Sequence, residues 1–191
     1  MPDSKVLRPK LIVVGHARHG KDTFCERLET FGYKWVSSSW AAGEIAVWPH
    51  MKDQYPDFQA CFADRGNHRD FWFNAIRDYN TPDLSRLARE IFTTSDIYCG
   101  MRRKEELSAC KEQKVCHFVI FIDAALRLPL EPKTSMTVEA WQANHVMTNN
   151  GTLEEFHQKI DKFYNGFLRH WEDRMNNPEP ALPNHATRTT P

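Results

Sequence analysis

The sequence predicts an α/β fold in which helices cover a mostly parallel β-sheet. Short, continuously apolar runs such as residues 11–14 and 118–122 are typical of strands that are buried on both faces. These runs alternate with segments of helical periodicity, which is the pattern of parallel strands joined by helical crossovers. The length of 191 residues, of which 41% are hydrophobic, suits one domain with a sizeable core.

Predicted strands and helices follow one another along the whole chain. The predicted strands cover residues 11–14, 33–36, 96–100, 117–123 and 145–148. The predicted helices cover residues 21–31, 39–48, 69–79, 82–92, 104–113, 137–144 and 152–175.

Local signals set the ends of several of these elements. Gly32 ends the first helix and Pro49 the second, because glycine accepts the left-handed conformation at a helix end and proline disfavours a helix before it. Thr81 is predicted to cap the helix over residues 82–92. Residues 51–67 show no clean period, and we expect them to run over the surface.

The last predicted helix is strongly amphipathic. Its broad apolar face consists of Leu153, Phe156, Ile160, Phe163, Phe167 and Trp171. The residues after it, 177–191, are rich in Pro, Asn and Thr, and we expect them to form a disordered tail. The expected organisation is therefore one domain over residues 1–176 and a tail over residues 177–191.

Composition excludes several classes of protein. Lys plus Arg and Asp plus Glu number 25 each, a balance unlike that of a strongly basic nucleic-acid coat. The apolar runs are far shorter than a membrane span, and the first ten residues lack the apolar core of a signal peptide. Five cysteines without a CxxC pair predict a reduced, cytoplasmic compartment. The nine histidines include no pair at zinc-enzyme spacing, so we expect no structural zinc.

The strongest motif in the chain has two glycines and a lysine at the spacing of a phosphate-binding loop. It satisfies Gly-x4-Gly-Lys, follows the strand over residues 11–14 and opens a helix, which is the context such a loop requires. Glycines let backbone N–H groups turn toward phosphate oxygens, and the helix N-terminus and the lysine add positive charge. We expect the whole loop to bind the phosphates of ATP: Gly15, His16, Ala17, Arg18, His19, Gly20, Lys21, Asp22 and Thr23.

The loop departs from the simple motif at one position. The residue after Lys21 is Asp22, where that motif has a Ser or Thr that contacts Mg²⁺. We expect Thr23 and Asp22 to hold the metal, directly or through water. The side chains of His16 and His19 are expected to face solvent or the phosphates.

Three segments resemble the P-loop nucleotide kinases, and more narrowly the bacteriophage deoxynucleoside monophosphate (thymidylate kinase-like) kinases. They are residues 15–23, the strand and turn over residues 96–102, and the Asn-Asn-Gly-Thr-Leu-Glu-Glu unit at residues 149–155. The resemblance spans about residues 10–167. It implies a three-layer, nucleotide kinase-like P-loop NTPase fold with a five-stranded, mostly parallel sheet, and ATP and Mg²⁺ as cofactors.

A second set of residues is similar to a group of small phage kinases, some of which phosphorylate the hydroxymethyl group of 5-hydroxymethyluracil within DNA. The set consists of residues 63–69, Trp72, Ile76 and residues 79–80. This resemblance implies an acceptor in viral DNA, on the way to hypermodified thymidine, and a location in the cytoplasm of an infected host cell.

The middle of the chain holds groups for either of two acceptors. A nucleoside monophosphate needs arginines to hold its charge, whereas an alcohol gains from a carboxylate that accepts its proton. Asp64 is the candidate base, Arg65 and Arg69 are candidates for binding the acceptor, and Trp72 is expected to stack on its base. The leading hypothesis is 5-hydroxymethyluracil in DNA, and the alternative is a free deoxynucleoside monophosphate. A nucleotide-binding regulator that transfers no phosphate is a third hypothesis.

Two further arginines complete the predicted catalytic set. Arg102 follows the strand over residues 96–100, at the carboxyl edge where parallel sheets bind ligands. Arg127 lies in the short segment after Asp123, where nucleoside monophosphate kinases carry a lid. With Lys21 they are expected to offset charge on the transferring group. The short lid either leaves room for a DNA strand or is a deletion without meaning for the substrate.

Overall fold

The computed structural model describes residues 6–178 and contains one five-stranded sheet with the order β2-β3-β1-β4-β5. All pairings are parallel, and Leu11 of the central strand lies opposite Ile97 on one side and Phe118 on the other. The strands are β1 (Leu11–Val14), β2 (Trp35–Ser37), β3 (Ile97–Cys99), β4 (Phe118–Asp123) and β5 (His145–Thr148). The predicted α/β fold and its five parallel strands are confirmed.

Helices cover both faces of this sheet. They are α1 (Lys21–Glu29), α2 (Ser38–Ala42), α3 (Trp48–Met51), α4 (Phe58–Ala63), α5 (Arg69–Asn80), α6 (Arg86–Thr94), α7 (Lys104–Glu112), α8 (Leu153–Phe163) and α9 (Arg169–Asn176). All four side chains of β1 are buried. Ile12 and Val14 pack into one core with α2, α6 and α7, and Leu11 and Val13 pack into a second core with α1 and α8. The three-layer arrangement follows from this alternation.

The long C-terminal helix is interrupted by a π-helical turn, Tyr164–Leu168, between α8 and α9. Because a π turn takes more residues than an α turn, it rotates the apolar face. Leu168 is fully buried, whereas Phe167, which was predicted to lie on the apolar face, is 42% exposed. Leu153 is also exposed, so the predicted face was wrong at these two positions and correct at Phe156.

Residues 38–80 form a helical insertion between β2 and α6. Its first helix, α2, continues through a π turn, Gly43–Val47, into α3. The prediction that Pro49 ends the second helix was therefore wrong, because Pro49 lies inside the helical segment. It stands in the first turn of α3, where a missing N–H is tolerated, and the π turn before it has already shifted the hydrogen-bonding register.

Residues 51–67 lie mostly at the surface, as expected, but they are more regular than their sequence indicates. They contain α4 and a 3₁₀ helix, Asp64–His68, and the Asp57 side chain caps α4 by accepting from the N–H of Ala60. Cys61 of α4 is buried in a third core that it shares with Val47, Met51 and Trp72. A helix of six residues is too short to show a clear hydrophobic period.

Two other predicted helices differ from the structure. Helix α6 begins at Arg86, later than predicted, and Thr81 does not cap it. The side-chain oxygen of Asn80 accepts from the N–H of Leu87 at 3.1 Å, which holds the intervening residues in a turn. The helix predicted over residues 137–144 is only a 3₁₀ turn, Ala140–Gln142.

Within residues 6–178, no helix is long and apolar enough to cross a membrane. Of the predicted tail over residues 177–191, the part from residue 179 onward lies outside the described residues.

Candidate nucleotide-binding site

The phosphate-loop motif lies between β1 and α1, in the predicted strand–loop–helix context. Gly15 has a φ of +141°, and a Cβ there would overlap the backbone carbonyl of Ile122 in β4. Gly20 has a φ of +101°, and a Cβ there would overlap the side-chain amide of Asn149. Arg18 is exposed and also lies in the left-handed region, with a φ of +65°. Such a sequence of conformations forms a concave backbone that can bind an anion.

Lys21 crosses this concave loop. Its Nζ donates to the carbonyl of His16 at 2.8 Å. Burial lowers the pKa of Lys21, and the nearby positive charge of Arg102 lowers it further. An anion bound in the loop would relieve both effects, so the loop favours a negatively charged ligand.

Both loop histidines contact residues 124–144, which we call the lid segment. The His19 ring is fully buried; its Nδ1 accepts from the N–H of Ala124 at 3.0 Å, and its Nε2 lies 3.4 Å from the carbonyl of Pro129. The Nδ1 of His16 accepts from the N–H of Glu131 at 3.0 Å. The expectation that these side chains face solvent or the phosphates is wrong for His19, because its ring is buried against Ala124 and Pro129 of the lid segment.

The residues predicted to hold Mg²⁺ lie in the first turn of α1. Asp22 is exposed, and its Oδ1 accepts a hydrogen bond from the Cys99 thiol at the end of β3. Thr23 is half-buried. Among the described residues, no three His, Cys, Asp or Glu side chains are grouped to hold a metal ion. The side-chain oxygens of Asp22 and Thr23 fit Mg²⁺, which typically takes one or two protein oxygens together with waters and nucleotide phosphates.

Glu131 of the lid segment, which the sequence analysis missed, reaches the phosphate loop. Its Oε2 accepts from the N–H of Ala17 at 2.6 Å, and its Oε1 accepts from Arg102 at 2.6 Å. Partial burial opposes ionisation of this carboxyl, but the hydrogen bonds from Arg102 and Ala17 outweigh it, so its pKa lies below the ordinary value. No sequence signal identified Glu131, because the contact joins residues 114 positions apart.

Arg127 lies on the other side of the loop. Its Nε donates to the carbonyl of Asn149 at 2.6 Å. The buried side chain of Asn149 in turn donates to the carbonyl of His19 at 2.9 Å. The Asn-Asn-Gly-Thr unit after β5 therefore connects Arg127 to the phosphate loop.

Asp64, the candidate base, lies in the helical insertion. Its carboxylate accepts from Tyr55 Oη and from Asn67 Nδ2, both at 2.5 Å, and lies 3.2 Å from Nε2 of His68. The hydrogen bonds from Tyr55 and Asn67 lower the pKa of Asp64, and the first of them raises the pKa of Tyr55 to about 12. Asp64 is therefore held ionised by its own neighbours.

Trp72 is a core residue rather than the exposed stacking surface that was predicted. It is 6% exposed, and its ring meets that of Phe62 edge-on at 5.8 Å. The far edge of its six-membered ring lies against Gly43, where a Cβ would not fit. The small core of the insertion needs a large apolar side chain at its centre, and the Trp72 ring fills that position.

A pocket of about 420 Å³ opens beside this tryptophan. It is lined by Ala63, Arg65, Gly66, Arg69 and Trp72. Arg65 lies over the Phe62 ring and donates to the Phe62 carbonyl. The pocket has two guanidinium groups and no acidic residue in its lining, so its chemistry favours an anion.

The two predicted sets of site residues lie in different parts of the fold. Lys21, Arg102 and Arg127 surround the phosphate loop, whereas Asp64 and the two pocket arginines belong to the insertion. Within the part of the chain that the structure describes, no hydrogen bond or ion pair joins the second group to the first. Asp123 at the end of β4 caps a turn through the N–H of Ala125.

The strand order 2-3-1-4-5, with all strands parallel and the phosphate loop after β1, defines a P-loop α/β domain. No protein-family model and no curated protein sequence matches the chain. Solved structures similar to it include shikimate kinase from Acinetobacter baumannii in complex with shikimate, with 13% identity, 84% of this chain and 95% of that chain covered, and a TM-score of 0.49. Dephospho-CoA kinase from Campylobacter jejuni has 15% identity, coverage of 84% and 98%, and a TM-score of 0.45.

Proposed function

We propose that the protein is an ATP-dependent kinase whose single domain covers residues 1–176. The observation that carries the proposal is the concave loop over residues 15–23, with Lys21 inside it and the N-terminus of α1 behind it. Backbone N–H groups, a helix N-terminus and a lysine together form a site for the phosphates of a nucleotide. ATP is the proposed donor, and Mg²⁺ supplies charge neutralisation between its phosphates when bound beside Asp22 and Thr23.

Three cations near the loop are proposed to offset charge on the transferring phosphoryl group. Lys21 is the first. Arg102 is close enough to the loop to share the Glu131 carboxylate with the N–H of Ala17, and Arg127 is tied to it through Asn149. Phosphoryl transfer depends largely on positioning and on charges of this kind.

The acceptor is proposed to bind at the pocket of the helical insertion. Arg65 and Arg69 supply two guanidinium groups for a phosphate, either of a DNA backbone or of a free nucleotide. On the resemblance of residues 63–80 we favour 5-hydroxymethyluracil in phage DNA, with Asp64 as the group that accepts the hydroxymethyl proton. Asp64 lies between Ala63 and Arg65 of the pocket lining in the chain, and Tyr55 and Asn67 would have to release its carboxylate before it could accept that proton.

The pocket also favours a second candidate, a deoxynucleoside monophosphate kinase. Its volume of about 420 Å³ lies within the range of small-ligand sites, and its two arginines suit a single monophosphate. A monophosphate oxygen is already a nucleophile, so this reaction needs no proton acceptor at Asp64.

The test is transfer of the γ-phosphate from labelled ATP to three acceptors in parallel: DNA that contains 5-hydroxymethyluracil, ordinary DNA, and each free deoxynucleoside monophosphate. Label on the modified DNA alone is the expected result. Label on a monophosphate identifies the second candidate. Label on no acceptor, with ATP still bound, contradicts the kinase proposal and indicates a nucleotide-binding regulator.

Asp64→Asn separates the two kinase candidates further. Transfer to an alcohol is expected to slow by about a hundredfold, because the proton acceptor is lost. Transfer to a monophosphate is expected to keep its rate. Asp70→Asn is the matched control, since Asp70 is exposed and near Asp64 in the chain. Equal losses in transfer and in background ATP hydrolysis would reject Asp64 as the base.

A further inference from the structure

Glu131 binds the groups that the proposed function assigns to a nucleotide phosphate. One carboxylate oxygen accepts from the N–H of Ala17 inside the phosphate loop, and the other accepts from Arg102, both at 2.6 Å. The Glu131 side chain is only 19% exposed, so these bonds are partly shielded from water. Each is a charge-assisted hydrogen bond, of the same kind that a phosphate oxygen makes.

The lid segment is fastened to the same loop by its backbone. The N–H groups of Ala124 and Glu131 donate to the Nδ1 atoms of His19 and His16. An accepting Nδ1 requires a neutral ring that carries its proton on Nε2. The Nε2 of His19 is then a donor, which agrees with its position 3.4 Å from the Pro129 carbonyl. These contacts hold the segment so that the Glu131 carboxylate points into the loop.

We infer that Glu131 occupies the place of a nucleotide phosphate, so that the lid segment is an internal competitor which a bound nucleotide must displace. This inference rests on the proposed function. The N–H of Ala17 has a single proton and cannot serve the Glu131 carboxylate and a phosphate together at full strength. Two anions at this position would also repel each other. Nucleotide binding therefore drives Glu131 out of the loop and releases the lid segment.

The displacement has a measurable effect on affinity. When the competent state is only a fraction of the population, the apparent affinity for a ligand falls by that fraction. Removal of the Glu131 charge weakens the internal contact and makes the open loop more populated. Nucleotide affinity should therefore increase when Glu131 is changed. A carboxylate that only positioned Arg102 for the nucleotide would give the opposite result.

The experiment compares ADP binding, measured by calorimetry in the presence of Mg²⁺, to the wild type, Glu131→Gln and Glu139→Gln. Glu139 is the matched control because it lies in the same segment and loses the same charge, but its partners are Lys133 and Trp141. We expect Glu131→Gln to bind ADP about tenfold more tightly, about 1.4 kcal/mol. We expect Glu139→Gln to bind as the wild type does.

Equal or weaker ADP binding by Glu131→Gln, with the wild type still binding, would overturn the inference and leave the proposed function intact. Absence of binding in all three proteins would overturn both. Hydrogen exchange gives a second readout in the wild type, since ADP should speed amide exchange in residues 124–144. Unchanged or slower exchange there would also overturn the inference.

Discussion

The phosphate loop and the helical insertion are built in different ways. The loop joins β1 and α1, whose side chains belong to the two large cores of the sheet, and close contacts leave no room for a side chain at Gly15 or Gly20. The insertion has a small core of its own around Trp72, and Phe71 and Phe73 beside it on α5 are exposed. The proposed donor site is thus a rigid part of the sheet, and the proposed acceptor site depends on one small aromatic cluster.

The difference matters for function because the two ends of a phosphoryl transfer have different needs. The donor phosphates are common to every reaction of this kind, so a fixed backbone site serves them well. An acceptor site on a separate small core can change its side chains without disturbing the loop. If the two regions are independent in this way, a substitution in one should leave ligand binding by the other unchanged.

The largest effect is expected at the loop itself. Lys21→Ala should lower the rate of phosphate transfer by about a thousandfold, because a preorganised charge on the phosphates is lost. The fold should stay intact, as judged by circular dichroism. Lys162→Ala is the control, since Lys162 is an exposed lysine of α8. A Lys21→Ala protein with normal transfer would remove the basis of the loop assignment.

At the insertion, Trp72→Ala should lower the free energy of unfolding by about 3–5 kcal/mol, because a large buried ring leaves a cavity in a small core. ATP binding should persist under conditions in which the sheet remains folded. Phe73→Ala is the control on the same helix; its ring is 62% exposed, and its effect should stay below about 1 kcal/mol. Loss of ATP binding in parallel with unfolding of the insertion would show that the two regions are not independent.

A smaller and more selective effect is expected at the pocket. Arg65→Ala and Arg69→Ala should each raise the KM for the acceptor by about tenfold, because each removes a charge-assisted hydrogen bond. The KM for ATP should not change. Arg77→Ala is the control, since Arg77 lies on α5 outside the pocket and pairs with Asp78. Equal changes in both KM values would contradict an acceptor site here.

The smallest expected effect is a change with pH in the free energy of unfolding, which arises from histidines around the sheet. Burial lowers the pKa values of His16, His117 and His145, none of which lies in the insertion. The unfolded chain therefore binds more protons than the native state below a pH of about 6.5, and stability decreases as the pH falls. Urea unfolding at pH 7.5 and 5.5 should show a small loss.

His117→Gln should reduce this pH dependence, because protonation of His117 breaks the hydrogen bond that its Nδ1 accepts from the backbone N–H of Lys10. His170→Gln, at an exposed position, should leave it unchanged. A wild type that becomes more stable over the same interval would contradict the sign.

The comparison also explains which parts of the structure could be predicted from the sequence. The strands and the phosphate loop could be, because a continuously buried run and a glycine with positive φ are local requirements. The π turns could not be predicted, since each follows from the fit of a helix to its neighbours. Because of the π turn before α9, Leu168 and not Phe167 lies in the core. Trp72 was misjudged because the residues that bury it come from other segments of the insertion, and α4 was missed because six residues are too few to show a hydrophobic period.

Glu131 marks a further limit of sequence reasoning. Its partner atoms are a backbone N–H in the loop and the guanidinium of Arg102, and neither is visible as a pattern around position 131. Arg102 itself was singled out, because a residue after a parallel strand lies at the edge where ligands bind.

The central claim is that different segments of the chain hold the donor and the acceptor, whose reacting atoms must meet between them, and hydrogen exchange with each ligand tests it directly. ATP with Mg²⁺ should slow amide exchange in residues 15–23 and leave residues 58–80 unchanged. A short DNA that contains 5-hydroxymethyluracil, or a deoxynucleoside monophosphate, should slow exchange in residues 58–80 and leave the loop unchanged. Protection of the same region by both ligands, or protection of the insertion by ATP alone, would contradict the account.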